Sequence, residues 1–291
     1  MSKTRIITII CWCVSAAVLI GLCVWFILWG AIGGGLNFGS ENFNYYETHT
    51  FSVDNLSAIE IDWISGRVNV STHDGDEVIV TEHSRRRLRE RDRMNYDLSS
   101  GTLTLEFSAA RIRFNPPSKM IEVQIPVSAM ENITSLSIDN VSGRVEISDV
   151  ITDRLDVQTV SGRIEISNVT ARTISLNTTS GRIETARTQA LSISSRTVSG
   201  RHNIFGEFET ISASSTSGRI ELASTIMPDT IDARTTSGRI EVTVPMTDTP
   251  VPVRYSVTSG RFRSDIPVIT NSSSPQFTLT TTSGRINIYG R

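Results

Sequence analysis

"VSGRIEI", Val160 to Ile166, recurs in recognisable form nine times in this 291-residue chain. Its glycines are Gly66, Gly143, Gly162, Gly181, Gly200, Gly218, Gly238, Gly260 and Gly284. From Gly143 onward the spacings are 19, 19, 19, 18, 20, 22 and 24 residues. A period near 19 is too short for a propeller blade or a helical pair. It fits one coil of a β-solenoid, in which the chain winds once per repeat and stacks on itself. The 77 residues between Gly66 and Gly143 are close to four periods and predict divergent coils there, one of them marked by Gly101.

Aligning the copies on their serine shows why the glycine is needed. Apolar residues stand six and four positions before it, as in Leu136/Ile138, Leu155/Val157 and Ile174/Leu176. They stand three and five positions after it, as in Val145/Ile147, Ile164/Ile166 and Ile240/Val242. Side chains of a straight strand alternate with a period of two, so even offsets cannot become odd ones without a bend. Ser-Gly is therefore predicted to be a corner, with positive φ at the glycine. Each coil then has two short strands and a corner, and the apolar rows of successive coils stack into a narrow core. Thr159, Thr178, Thr197, Thr235 and Thr281 stand two before the serine, where stacked hydroxyls suggest a polar ladder.

The arginine and glutamate of the string fall on the outward face. Stacking would align Arg144, Arg163, Arg182, Arg201, Arg219, Arg239, Arg261 and Arg285 in one row, with Glu146, Glu165, Glu184, Glu221 and Glu241 in the next. Like charges on adjacent strands repel, and the glutamates offset this. The row reads first as a self-neutralised scaffold. His202-Asn203, Phe262-Arg263 and Asn287 break the pattern and leave Arg201, Arg261, Arg263 and Arg285 without a local glutamate. These four are the candidate contacts for a ligand or partner. A second candidate surface is "SRRRLRERDR", Ser84 to Arg93, which includes Arg85, Arg86 and Arg87. It reads as a solvated loop able to meet anionic headgroups or wall polymers.

Other chemistry is not called for. His49, His73, His83 and His202 have no metal-ligand spacing. His202 takes an inward position and reads as a core histidine. There is no phosphate loop, dinucleotide fingerprint or nucleophile elbow. No carboxylate is singled out from its row as a glycosidase would need. No catalytic residue, cofactor or metal is expected. A net charge of −2 argues against nucleic acid as a partner.

The N-terminal part sets the expected location. Lys3 and Arg5 precede Ile6 to Trp29, 24 uncharged residues, enough to span a bilayer. Residues 1–5 then form a cytoplasmic tail, 6–30 a transmembrane helix and 31–46 a Gly/Asn-rich linker. Residues 47–130 form a divergent N-terminal β region and 131–291 the regular solenoid. The positive-inside rule puts the C-terminal domain outside a single-pass membrane protein. Cys11, Cys13 and Cys23 all lie in the apolar run, so the exported part has no thiol chemistry. With Lys3 and Arg5 set aside, the 28 basic residues become 26, against 30 acidic ones, and only Lys119 among them is lysine. The string ends close to Arg291, so a final uncapped coil is expected to present open edges for self-association.

The unit at Ile59 to Val70, "IPV" at Ile125 to Val127 and the coils from Leu136 on resemble the bacterial "putative adhesin" family over roughly residues 47–291. The resemblance implies an all-β solenoid on the outer cell surface behind one N-terminal anchor. That family usually has Asp where this chain has Arg after Ser-Gly, so its surface chemistry does not transfer. The expected function is a non-enzymatic adhesin or surface-interaction module meeting cell-wall or surface glycans, or another envelope protein. The alternatives are an accessory protein of envelope-stress signalling and, third, a carbohydrate-active enzyme.

Overall fold

The computed structural model describes residues 43–108, 117–270 and 272–291. The cytoplasmic tail, the transmembrane helix and the linker up to residue 42 lie outside the described residues. Among the described residues no helix is long and apolar enough to cross a membrane. Phe43–Arg291 forms a compact unit whose buried apolar core runs from Phe51 to Ile288.

The strands are β1 (Tyr45–Ser52), β2 (Ala58–His73), β3 (Glu77–Ser84), β4 (Asn95–Ser99), β5 (Thr102–Glu106), β6 (Lys119–Pro126) and β7 (Ser135–Ser148). They continue as β8 (Ile151–Ser167), β9 (Thr170–Ser224), β10 (Thr230–Val244), β11 (Val251–Ser264), β12 (Val268–Thr270) and β13 (Phe277–Gly290). All belong to one sheet, ordered β1-β3-β6-β2-β7-β8-β9-β10-β13-β11-β12, with β5 and then β4 branching from β2. β1 begins at Tyr45, so the last two linker residues are already strand.

The predicted coil is present. Strands of neighbouring coils pair in parallel with the strings in register, for example Ser142↔Ser161, Gly143↔Gly162 and Arg144↔Arg163. Apolar side chains on both sides of the corner are buried: Leu155, Val157, Ile164 and Ile166 are at most 2% exposed. The glycine is required mainly by stacking. At all nine corners a Cβ would land on a backbone carbonyl of the adjacent strand, and at Gly162 that carbonyl belongs to Gly143. A φ in the left-handed range occurs at Gly66, Gly143, Gly181, Gly218 and Gly260 but not at the other four, so the conformational expectation holds only in part. A second corner went unread in the sequence. Asp149, Asn168 and Arg187 have φ of 62°, 54° and 49°, and Asn168 Nδ2 donates to Asp149 Oδ1 at 2.6 Å. Asn and Asp accept this conformation more readily than most residues.

Three expectations are corrected. First, four coils do not lie between Gly66 and Gly143: the two glycines are directly paired and β2 stacks on β7, while β5 and β6 together form a single divergent coil on the other side of β2, with Lys119 opposite Gly66. The rest of the intervening chain builds an end structure around that coil. β6 runs parallel to the second half of β2, then β3 and β1 add antiparallel. On the other wall β5 runs parallel to the first half of β2 and β4 closes a hairpin on it. Gly101 sits in that hairpin turn with φ of 79°. The two wings meet where Tyr96 of β4 packs edge-on to Phe51 of β1, with 5.1 Å between ring centroids.

Second, the last string is not the last coil. β13 lies between β10 and β11, with Gly238↔Gly284 on one side and Gly260↔Gly284 on the other. The final residues are tied down by Arg291 N–H to Val244 O and Met246 N–H to Arg291 O, both 2.9 Å. The order follows from composition. Phe277, Leu279, Ile286 and Ile288 of β13 are all buried, as a coil with neighbours on both sides requires. The corresponding positions of β11 are Val253, Tyr255, Phe262 and Ser264, a set that tolerates one open side. The wider spacings of 22 and 24 residues supply the reach to skip a coil and return.

Third, the hydroxyl row does not form a ladder. The Oγ1 atoms of Thr159, Thr178, Thr197 and Thr235 and Oγ of Ser215 are buried without a partner from the protein. Parallel coils are about 4.8 Å apart, beyond direct hydroxyl contact.

Candidate functional site

Five of the eight string arginines from Arg144 to Arg285 are neutralised within their own coil. Arg144–Glu146, Arg163–Glu165, Arg182–Glu184, Arg219–Glu221 and Arg239–Glu241 are 2.9, 2.8, 3.2, 2.8 and 3.3 Å apart. The glutamate hydrogen bond raises the proton affinity of Arg144, and likewise of Arg219, above the ordinary value. With the arginines about 40% exposed, each pair contributes only about 0–1 kcal/mol. They cancel the field of the row more than they stabilise it.

The exceptions fall at two places. Arg201, in the coil between Gly181 and Gly218, is exposed and has no ion pair among the described residues. At the far end, the displaced β13 brings Arg285 between Arg239 and Arg261 in one row, and Asn287 between Glu241 and Arg263 in the next. Arg261, Arg263 and Arg285 are thus gathered on two adjacent strands, all exposed, with no carboxylate opposite them in register. Sequence order alone would have separated Arg261 from the end of the stack. On the inward-facing positions of β11, Tyr255 and Phe262 stack with ring centroids 4.1 Å apart and planes 4° from parallel. Tyr255 is 43% exposed. The outward-facing guanidinium groups are donors suited to an anionic polymer.

Arg85, Arg86 and Arg87 lie at the opposite end and do not join this cluster. Their loop crosses from β3 to β4 above the first coil and is held from below. Lys119, fully buried, donates to Glu82 Oε1 at 2.5 Å, to Asp92 O at 2.9 Å and to Phe107 O. Its ammonium lies over the rings of Phe107 and Trp63, 3.9 and 4.9 Å from their centroids. Glu82 Oε1 also accepts the Met94 N–H at 3.0 Å. The role of Lys119 was not read from the sequence; its standing as the single lysine after the apolar run was the available signal.

His202 is fully buried in the fifth regular coil counted from Gly66. Its Nδ1 is 2.6 Å from Ser195 Oγ, and the two occupy the facing positions that Leu176 and Ile183 fill one coil earlier. Burial pushes its pKa down to about 4, against a smaller upward pull from the Ser214 backbone. The unfolded chain therefore binds a proton more tightly than the folded one. Stability contributed by the neutral ring is full above about pH 6.5 and is lost as pH falls from there towards 4. The expected loss is about 3 kcal/mol, read as a falling urea midpoint. The Ser195→Ala/His202→Ile variant should remove this His202-specific component.

Among the described residues, no group of three or more His, Cys, Asp or Glu side chains is placed to hold a metal.

A parallel sheet wound into stacked coils with a braced antiparallel end defines this chain as a β-solenoid. It belongs to the Toastrack DUF4097 family, whose profile matches residues 56–289. Two solved structures share the fold. A putative adhesin from Bacteroides fragilis is 14% identical, covers 87% of this chain and all of its own, and superposes with a TM-score of 0.52. A putative lipid binding protein from Parabacteroides distasonis is 17% identical, covers 84% of this chain and 97% of its own, with a TM-score of 0.55. No curated protein matches this chain in sequence.

Proposed function

We propose that the protein is a non-enzymatic surface-interaction module. An N-terminal anchor displays it outside the cell, and the far end of its solenoid binds an anionic surface polymer such as an acidic cell-wall glycan. The observation that carries this reading is the clustering of the exposed Arg261, Arg263 and Arg285 on two adjacent strands with no carboxylate opposite them in register. The description of a Bacteroides fragilis fold relative as a putative adhesin agrees with it. The structure-forming carboxylates of the ladder are engaged by arginines, which favours binding over acid–base chemistry.

The test is binding of Phe43–Arg291 to acidic wall polysaccharide, measured by titration calorimetry at two salt concentrations. Changing Arg261, Arg263 and Arg285 together to alanine should weaken binding by about tenfold to a hundredfold, with the denaturation midpoint unchanged. Binding that survives the triple substitution, or any turnover of the polymer, would refute the proposal.

A further inference from the structure

We infer that the end of the solenoid nearest the N-terminus is itself a docking face for anionic lipid headgroups. This goes beyond the distal polymer surface and rests on the reading of Ile6 to Trp29 as a membrane span.

The chain enters the fold beside the arginine loop, because Tyr45 pairs with Ser84, the residue before Arg85. β1 and β4 are the outermost strands of the two walls at this end, and residues 85–94 join β3 to β4 across it. Between Ser84 and Arg93 there are six arginines and two acids. Asp92 is buried beneath the loop, and Arg93 pairs with Glu47 at 3.1 Å. Arg85, Arg86, Arg87, Arg89 and Arg91 are exposed, and only Glu90 stands exposed among them. Tyr46, 76% exposed, and Tyr45 add phenol rings of the kind enriched at membrane interfaces.

The loop is a rigid presenter. Ser84 Oγ donates to Arg86 O at 2.7 Å, Asp92 N–H donates to Arg89 O at 2.8 Å, and Lys119 holds Asp92 from below. Carbonyls and one buried lysine fix the backbone; Arg91 lies 4.0 Å from Asp92, and Arg86, Arg87 and Arg89 are exposed. Gly30 to Asn42, thirteen residues, connect the apolar run to the described fold and can span at most about 45 Å. A tether of that length keeps the face near the bilayer and adds to the affinity of its headgroup contacts. Docking here would orient the solenoid away from the membrane, with the distal arginines outermost.

The test uses Phe43–Arg291, which contains the whole of the described core, in co-sedimentation with phosphatidylcholine vesicles with or without phosphatidylglycerol. The fragment should bind the anionic vesicles, leave the neutral ones, and be released by salt. Arg86→Ser, Arg87→Ser and Arg89→Ser together should lower vesicle affinity about a hundredfold; their backbone carbonyls, which hold the loop, remain. Arg261→Ala/Arg263→Ala/Arg285→Ala should leave it unchanged. Equal binding to neutral vesicles, no binding to anionic ones, or indifference to the loop substitutions would overturn the inference. So would capture by soluble polyglycerol phosphate without vesicle binding, which would assign the loop to a wall polymer. Alkaline extraction of the full chain from membranes tests the anchor separately, so the two readings can fail independently.

Discussion

Replacing Lys119 with methionine is expected to destabilise the fold by about 3–5 kcal/mol. The substitution removes one member of a buried pair in which Glu82 is 3% exposed and Lys119 not at all. Glu82 keeps the Met94 N–H, and the carbonyls of Asp92 and Phe107 lose the donor that they share. The loss of the cation over Phe107 and Trp63 adds to this. Changing Glu82 to leucine as well should recover much of the deficit, because a buried pair replaced as a whole by apolar groups is often neutral. Urea denaturation of the two variants decides it. A single variant within about 1 kcal/mol of the parent would show that the brace contributes little. The proximal arginine loop should also lose order in the single variant, visible as faster amide exchange at Arg89 to Asn95.

Gly162→Ala is expected to cost more than about 4 kcal/mol, or to abolish cooperative folding. Gly162 is not in the left-handed region, so the backbone itself would accept alanine. The obstacle is the carbonyl of Gly143 in the stacked coil, which occupies the place of the new methyl. Relief requires neighbouring coils to separate, and that breaks parallel hydrogen bonds on both sides of the corner. Gly181→Ala, where φ is 157°, should cost about as much, because the same contact operates there. Alanine at Gly162 costing only about 1 kcal/mol, the usual penalty for relaxed glycine positions, would mean that the coils can slide apart and that stacking is not what selects glycine.

The coil was legible because every level of the pattern agreed. Parity of apolar residues, a glycine at each switch and opposite charges two residues apart all pointed to a stacked β unit. The Arg–Glu pairing followed from their two-residue spacing on one face of each coil. What was not legible was anything that depends on which coil lies beside which. The Gly66–Gly143 gap has the length of four coils yet holds one divergent coil and its antiparallel wings, because wings and coils use similar alternating segments. The hydroxyl row was expected to bond to itself, but the coil spacing forbids it. The second corner at Asp149, Asn168 and Arg187 lacks a glycine and so gave no signal.

By itself, the sequence determined the repeating unit, its inward and outward faces and the self-neutralising charge row, since these depend on local alternation and a constant period. Only the tertiary structure decided the ends. It placed β13 inside β11, since the more apolar strand needs neighbours on both sides, and so brought Arg261, Arg263 and Arg285 together. It also buried the lone lysine after the apolar run under the arginine loop. Ends are where a solenoid's periodicity stops supplying neighbours, so long-range packing, not the repeat, chooses what lies there.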